Sequence, residues 1–150
     1  MSLPGEGWGA LVLRFEVEVE APPERVWDVL TGVEAWSRWH PGISFAVLRG
    51  PMAPGTPLHW RGDGMRIRSV VAEVGEGRRV AWTARTLGAR GFHRWTLEPQ
   101  GSSSTRILSE EVWRGLPVLL LRGTLRKTLT ASRTVWLERL RTRAESYRGS

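Results

Sequence analysis

The stretch LVLRFEVEVEAPPERVWDVLTGVEAWSRWHPG, residues 11–42, determines how the chain begins to fold. Its first ten residues (11–20) alternate between apolar and mostly charged side chains, which predicts a strand with one buried and one solvated face. Prolines then precede Glu24, and Gly32 follows the last apolar residue, so APPERVWDVLTG predicts a helix. A second short helix or a turn is predicted next, ended by Pro41.

The rest of the chain is predicted to form six strands and one long helix. Turn residues separate the strand-like segments, which span residues 43–49, 56–62, 65–74, 78–86, 91–98 and 105–113. The triplets GDG and GEG between them are typical of tight hairpins, so the sheet is expected to be an antiparallel meander. From about Leu116 to Tyr147 a stripe at nearly helical spacing predicts a long C-terminal helix. The stripe consists of Leu121, Leu125, Leu129, Ser132, Trp136 and Leu140.

This order of elements indicates an α+β fold. The expected architecture is a seven-stranded curved antiparallel sheet wrapped around a long C-terminal helix, with two short helices after the first strand. One helix cannot fill the concave side of seven strands, so the remaining space holds either large side chains or an open pocket. Residues 1–10 are rich in Gly and Pro and are predicted to form a flexible arm. Residues 11–147 are predicted to form a single domain.

Several kinds of catalytic site are excluded by the residue types present. The sequence has no Cys, which rules out disulfides, zinc–thiolate sites and thiol nucleophiles. The three histidines, His40, His59 and His93, lack metal-ligand spacing, so neither a metal nor another cofactor is predicted. There is no Gly-x-Ser-x-Gly motif, and GDG and GEG do not lead into helices as phosphate loops do. Hydrolase and kinase functions are therefore not expected.

The positive charge lies at the C-terminal end. Residues 114–150 carry nine basic and two acidic side chains, and this difference equals the net charge of +7 for the whole chain. The basic residues are Arg114, Arg122, Arg126, Lys127, Arg133, Arg139, Arg141, Arg143 and Arg148. Such a helix could contact nucleic acid or an anionic surface, but no nucleic-acid motif accompanies it, so a solvated outer face is the favoured interpretation.

The sequence contains no segment that would insert into a membrane. LPVLLL (116–121) is far too short to span a bilayer and is followed by Arg122, and nothing resembles a signal peptide. A soluble, cytoplasmic protein is expected.

The nine tryptophans suggest a hollow interior, because a solid core of this size seldom needs so many large rings. Trp60, Trp82, Trp95 and Trp113 occupy strand positions and are expected to line a cavity or to pack in the core. Trp36 and Trp39 are expected to cover the mouth of the pocket, unless they only brace the short helix. On the long helix, Leu125 and Leu129 are expected to contact a ligand.

The segment GFHRWTLEP (91–99) places His93, Trp95 and Leu97 on one strand face. Pairing with the next strand is expected to set His93 opposite Glu111 and Trp95 opposite Ser109, since this register keeps the apolar residues together. Opposed side chains have Cβ atoms about 5 Å apart, so His93 and Glu111 are expected to hydrogen-bond. The pair could recognise a ligand, act as an acid and base, or satisfy two polar groups within the sheet.

Two stretches resemble a known superfamily. FEVEVEAPPERVWDVLTGVEAWSRWHPGI (15–43) is similar to the opening of SRPBCC proteins, the helix-grip fold of START and Bet v 1-like proteins. AWTARTLGARGFHRWTLEPQGSSSTRILSEEVWRG (81–115) resembles the polyketide cyclase/dehydrase-like branch. The resemblance covers about residues 11–145 and implies a cavity between sheet and long helix that holds a small hydrophobic or aromatic molecule, or a lipid. Some relatives cyclise or dehydrate polyketides and others only bind, so the resemblance assigns no catalytic residue.

Three functions therefore stay open at the level of sequence. The first is binding of a small hydrophobic molecule, and the second is a cyclase/dehydrase-type enzyme in which His93 and Glu111 are the acid and base. The third is a protein-interaction module without a ligand, in which the basic helix is the contact. A free edge strand or the apolar side of the helix also offers a route to a homodimer. The residues expected at the ligand are Trp36, Trp39, Trp60, Trp82, His93, Trp95, Glu111, Trp113, Leu125 and Leu129.

Overall fold

Seven antiparallel strands form one curved sheet in the computed structural model, which describes residues 3–146. The strands are β1 (Leu11–Val19), β2 (Ile43–Leu48), β3 (Pro57–Gly62), β4 (Met65–Gly75), β5 (Arg79–Thr86), β6 (Ala89–Pro99) and β7 (Thr105–Gly115). Their order across the sheet is β1-β7-β6-β5-β4-β3-β2, so the strands after β1 form a meander and β1 pairs with the last of them. The predicted fold class is confirmed.

The helices lie at the two places where the sequence predicts them. Between β1 and β2 the chain forms α1 (Pro23–Thr31), a 3-10 turn (Val33–Ala35) and α2 (Trp36–Trp39). After β7 it forms α3 (Leu116–Leu120) and α4 (Arg122–Ser146). None of the helices in residues 3–146 has both the length and the hydropathy needed to cross a membrane.

The prediction of one unbroken C-terminal helix is wrong at Leu121. This residue has φ −123° and ψ 32°, which separates the short α3 from α4. Val118 is the buried residue of α3, whereas α4 is held by residues that begin more than three turns later, at Arg133. Because these two anchors belong to different parts of the sheet, the chain bends between them. Tyr147 and Arg148, which the predicted helix and its basic face include, lie outside the described residues.

The long helix α4 is packed along only one half of its length. Its C-terminal half buries Arg133, Trp136, Leu137, Leu140 and Ala144, whereas no residue of its first ten (122–131) is buried. The described helix therefore grips the sheet with its second half, and its first half extends over the concave face without filling it.

The core beneath the second half of α4 is built mainly from indole rings. Trp36 is fully buried, with its ring centroid 5.0 Å from Trp136, 5.5 Å from Trp82 and 5.8 Å from Trp60. Its ring N–H donates to the carbonyl oxygen of Leu30 at 3.0 Å. The abundance of tryptophan thus reflects a solid aromatic core as much as a hollow one.

The N-terminal segment packs against the convex face of the sheet. Leu3 and Ala10 are buried there together with Ala81, Phe92 and Val112. The sequence predicts a flexible arm for residues 1–10, of which the first two lie outside the described residues.

Replacing Trp36 with Ala is expected to lower the free energy of unfolding by about 3–5 kcal/mol, because it empties the centre of the aromatic core. The matched control is Trp8→Ala, since Trp8 is 88% exposed; a change at such a position alters stability by at most about 0.5 kcal/mol. Urea unfolding followed by circular dichroism measures both. Equal losses in the two variants would contradict this description of the core.

Candidate functional site

A cavity of about 380 Å³ lies between the concave face of the sheet and the first half of α4. Its volume falls within the range of about 300–1,000 Å³ found for small-molecule sites. Seven residues expected at the ligand line this cavity. They are Trp60, Trp82, His93, Glu111, Trp113, Leu125 and Leu129.

Three other tryptophans expected at the ligand, Trp36, Trp39 and Trp95, are not among the lining residues. They are buried in the aromatic core behind the cavity, so Trp36 and Trp39 do not cover its mouth. The short helix α2 folds under the packed half of α4, and Trp39 therefore meets Trp136 at a centroid distance of 5.7 Å. The exposed lining residues, which mark where the cavity reaches the surface, are instead Asp63, Leu87 and Leu121.

The main polar contact in the wall joins Arg133 of α4 to Glu111 of β7. The Arg133 Nη2 group donates to Glu111 Oε2 at 2.5 Å, and both side chains are buried. The guanidinium also lies 5.3 Å from the ring centre of Trp95 and 5.6 Å from that of Trp136, within the range of cation–π contacts. Arg133 therefore holds the helix to the sheet at the boundary between the aromatic core and the cavity.

The expectation that the basic residues form a solvated outer face is wrong for Arg133. Its position follows Leu129 by four residues and precedes Trp136 by three, which places it on the apolar side of the helix. Helical spacing thus fits Arg133 as well as Ser132, which follows Leu129 by three residues and precedes Trp136 by four. Ser132 was assigned to the stripe because an arginine is seldom fully buried unless it is paired. The partner, Glu111, is 22 residues away in sequence.

His93 lies opposite Glu111, as the predicted register requires, and this register of β6 and β7 is confirmed. The predicted hydrogen bond between the two is not formed, because His93 Nδ1 and Glu111 Oε2 are 3.9 Å apart. The other ring nitrogen, Nε2, lies 3.0 Å from Ser109 Oγ, and the ring lies 4.6 Å from Trp95 between centroids. The carboxylate of Glu111, predicted to bind His93, accepts its hydrogen bond from Arg133 instead.

The electrostatic environment keeps the imidazole of His93 neutral. Burial lowers the pKa of His93 well below its ordinary value, and the positive charge of Arg133 lowers it further. The carboxylate of Glu111 favours the tautomer with the proton on Nδ1, and Nε2 then accepts a hydrogen bond from the Ser109 hydroxyl. A neutral ring in this state can donate a hydrogen bond to a ligand oxygen or accept a proton after rearrangement.

His40 is a second buried histidine on the cavity wall, and the sequence analysis did not select it. The Gly42 N–H donates to His40 Nδ1 at 3.0 Å, so the ring proton lies on Nε2. Its ring packs on Trp136 with centroids 4.8 Å apart. Burial lowers the pKa of His40, and the nearby Asp63 opposes this shift. Its position directly before Pro41 and Gly42 gave no sign that it would face the cavity.

Trp113 forms a flat part of the wall because β6 has a glycine beside it. A Cβ atom at Gly91 would lie 2.9 Å from the Trp113 ring, which is too close for contact. Gly91 is directly opposite Trp113 in the β6–β7 register, so the ring lies across the neighbouring strand. Any side chain at position 91 would press this ring towards the cavity.

Few side chains in the cavity wall carry a charge or could hold a metal ion. Within residues 3–146 no three His, Asp or Glu side chains are grouped so as to hold a metal ion. The Arg133–Glu111 pair is internally neutral, and His93 and His40 are uncharged near neutral pH by the shifts given above. Apart from Asp63 at the exposed rim and the mutually compensating Arg133–Glu111 pair, the cavity wall combines aromatic and aliphatic surface with uncharged hydrogen-bonding groups.

The sequence matches the model of a known family. This is the family described as polyketide cyclase/dehydrase and lipid transport, and the match covers residues 11–145. A search of curated proteins finds no significant match.

Solved structures with the same architecture include a START superfamily protein from Mycobacterium smegmatis. The two are 18% identical with a TM-score of 0.77, over 89% of this chain and 97% of that one. The Zhui aromatase/cyclase from Streptomyces sp. R1128 is 15% identical with a TM-score of 0.80, over 91% and 94% of the two chains. Norcoclaurine synthase from Thalictrum flavum is 16% identical with a TM-score of 0.72, over 100% and 98%. At these identities the likeness shows the fold alone.

Removing one partner of the Arg133–Glu111 pair is expected to destabilise the protein by about 3–5 kcal/mol, because it leaves the other charge buried and unpaired. Glu111→Leu and Arg133→Met are therefore each strongly destabilising, whereas the double variant recovers most of the loss. Chemical unfolding of the four proteins measures this coupling. If the two single losses simply add in the double variant, the pair does not act as described.

The depressed pKa of His93 makes stability depend on pH. The unfolded chain binds a proton below about pH 6.5 whereas buried His93 does not, so the free energy of unfolding falls as pH is lowered from 6.5. In His93→Gln this slope is expected to decrease by at most about 1.4 kcal/mol per pH unit, and His40 retains its own contribution. Thermal and urea unfolding between pH 5 and 8 test this, with equal slopes above pH 7 as the internal control. An unchanged slope below pH 6.5 would show that His93 is protonated in the folded protein.

Proposed function

The chain belongs to the polyketide cyclase/dehydrase and lipid transport family, and we propose that it binds a small, uncharged hydrophobic or aromatic molecule, or a lipid, in the cavity beneath α4. The observation that carries this proposal is the unpacked first half of that helix. Leu121, Leu125 and Leu129 line the cavity, yet no residue of the helix is buried before Arg133. A bound apolar molecule would supply the surface that this stripe otherwise lacks.

The shape of the wall favours a flat ligand. The rings of Trp60, Trp82 and Trp113 line the cavity on the sheet side, and the leucines of α4 line it on the helix side. Trp60 is fixed in place by donating its ring N–H to Ser69 Oγ at 3.2 Å. Flat walls of this kind contact a planar aromatic molecule over both faces and exclude water from it.

The charges at the cavity favour an uncharged ligand with a hydrogen-bonding oxygen. The carboxylate of Glu111 already balances the charge of Arg133, so a ligand carboxylate would add a negative charge without a counter-charge. The neutral His93 on the wall offers Nδ1–H as a donor to a carbonyl or hydroxyl oxygen. A protein-interaction module without a ligand would not require an open cavity at this position, so the cavity favours ligand binding over that alternative.

Catalysis by His93 is the second candidate function. A neutral imidazole can remove a proton next to a carbonyl group, which is the first step of an aldol-type cyclisation. Glu111 is engaged by Arg133 and makes no hydrogen bond to His93, so it would act on the histidine through its charge rather than as a partner acid. Proteins of this fold include the Zhui aromatase/cyclase and norcoclaurine synthase. Once a substrate is known, His93→Phe is expected to turn it over at least about a hundredfold more slowly than the wild type, which is the usual contribution of a general base. Substrate binding by this variant is expected to be unimpaired.

Ligand binding can be tested with 1-aminoanthracene, a planar uncharged probe whose fluorescence rises in apolar surroundings. We expect saturable one-to-one binding to the wild type with a micromolar dissociation constant, accompanied by quenching of tryptophan fluorescence. Leu125→Trp is expected to fill the cavity and to weaken binding at least about tenfold, as lost packing of 1.4 kcal/mol would.

The matched control is Val135→Trp, because Val135 is an exposed apolar residue of the same helix and does not line the cavity. Its affinity for the probe is expected to stay within about twofold of the wild type, a difference of less than 0.5 kcal/mol. Equal weakening in both variants, or the absence of saturable binding to the wild type, would overturn the proposal.

A further inference from the structure

The segment LPVLLL (116–121) exposes more apolar surface than the fold requires. Val118 is the buried residue of α3, whereas Leu116, Leu119, Leu120 and Leu121 are each more than half exposed. A short helix that only had to attach itself to the sheet would need one apolar side. Contiguous exposed apolar residues mark a surface that contacts something outside the chain.

Two further apolar side chains are exposed at the same end of the molecule. Leu87 is 77% exposed at the tip of the β5–β6 hairpin, where its φ of 47° is one that leucine rarely adopts. A glycine, asparagine or aspartate would form this turn with less strain, so folding does not account for the leucine. Trp8 is also almost fully exposed, and it lies between Gly7 and Gly9.

These side chains surround the entrance to the cavity. Leu87 and Leu121 belong to the cavity lining, together with Pro117 and Val118 of α3. Trp8 lines a shallow groove on the adjoining surface together with Leu116 and Leu119. We call the set the mouth patch; it comprises Trp8, Leu87, Leu116, Leu119, Leu120 and Leu121.

The border of the mouth patch is basic. Arg90 and Arg114 line the same shallow groove as Trp8, and three further cations, Arg122, Arg126 and Lys127, follow Leu121 along the chain. The chain has no acidic residue between Glu76 and Glu98 or between Glu111 and Glu138. Asp63 is the acidic residue on the opposite rim of the cavity, where Ser132 Oγ donates to its Oδ2 at 3.3 Å.

The carboxylates of the described residues leave these border cations without an ion-pair partner. Arg90 and Arg114 are directly opposite in the β6–β7 register, an arrangement of like charges that destabilises a sheet. Arg114 donates to the carbonyl oxygen of Gly5, and Arg122 donates to that of Ala10, each at 2.7 Å. Among residues 3–146 none of the five cations forms a salt bridge, so their charge is available to an external anion.

We propose that the mouth patch docks on the surface of an anionic lipid bilayer. The leucines and Trp8 enter the boundary between headgroups and acyl chains, and the surrounding cations contact lipid phosphates. The cavity then opens towards the apolar phase. A ligand of the kind proposed above, on which this last point rests, could pass between bilayer and cavity without crossing water.

Other occupants fit the surface less well. A second copy of the chain would bring two basic borders together, and like charges across an interface oppose association. The side chains of the mouth patch come from a short helix, a hairpin tip and the N-terminal segment, and apart from a shallow groove at Trp8 they project separately into solvent. Such side chains suit a deformable lipid surface that needs no complementary pockets.

Co-sedimentation with vesicles tests this proposal. The wild type is expected to bind vesicles of phosphatidylcholine with one quarter phosphatidylglycerol, to bind pure phosphatidylcholine much more weakly, and to dissociate as salt is raised. The variant Leu119→Ser/Leu120→Ser is expected to lose at least about tenfold in affinity, since a buried methylene group contributes about 0.8 kcal/mol. The variant Arg126→Gln/Lys127→Gln is expected to lose about 25-fold in affinity at low salt, because each of the two cations near an anionic surface contributes roughly a factor of five.

The control is Val135→Ser on α4, which removes an exposed apolar side chain about 14 Å beyond Arg126 along the helix axis. It is expected to bind vesicles like the wild type. Absence of vesicle binding by the wild type, or equal binding to neutral and anionic vesicles, would overturn the proposal. The proposal would also be overturned if analytical ultracentrifugation showed that the wild type is a dimer and that Leu119→Ser/Leu120→Ser is a monomer. The same variants are expected to bind 1-aminoanthracene like the wild type. Retained probe binding would show that the loss concerns docking on vesicles and not ligand binding in the cavity.

Discussion

The ion pair between Arg133 and Glu111 is the contact on which the arrangement of the molecule depends. It joins the middle of α4 to β7, the strand beside the β1 edge of the sheet. Both charges are buried there, and the guanidinium lies over the rings of Trp95 and Trp136. A buried charge is costly without its partner, so this contact fixes the helix at one point along the sheet. On one side of that point Trp136 and Leu140 complete a solid core. On the other side the helix lies above open space.

The cavity is the consequence of that division. Its inner end carries polar groups, His93 and the Arg133–Glu111 pair, and its outer end is bordered by exposed leucines. The polar end suits recognition of a ligand oxygen, and the apolar end suits entry of a molecule that is poorly soluble in water. Burial and the charge of Arg133 keep His93 neutral, so the same pair that holds the helix also sets the chemistry of the histidine.

The strands, their register and the fold class could be predicted because they follow from local alternation and turn residues. The pairing of His93 with Glu111 is of this kind, since a slip by one residue would turn the apolar face outward. Arg133 could not be placed in the same way, because an arginine on a basic helix usually faces water and its partner is distant in sequence. Trp36 was misplaced for a similar reason: whether a ring caps a mouth or fills a core depends on how α2 packs under α4. The break at Leu121 arises from two separate anchors in the sheet, which no local pattern records.

The space under the first half of α4 is, on the function proposed above, a binding site rather than a packing defect. Native mass spectrometry of the protein purified from its own host, without denaturation, tests this most directly. If the cavity binds a ligand, the spectrum contains a species heavier than the chain by the mass of one small molecule, and Leu125→Trp purified in the same way lacks it. A wild type that carries no added mass, or the same added mass in both proteins, would contradict it.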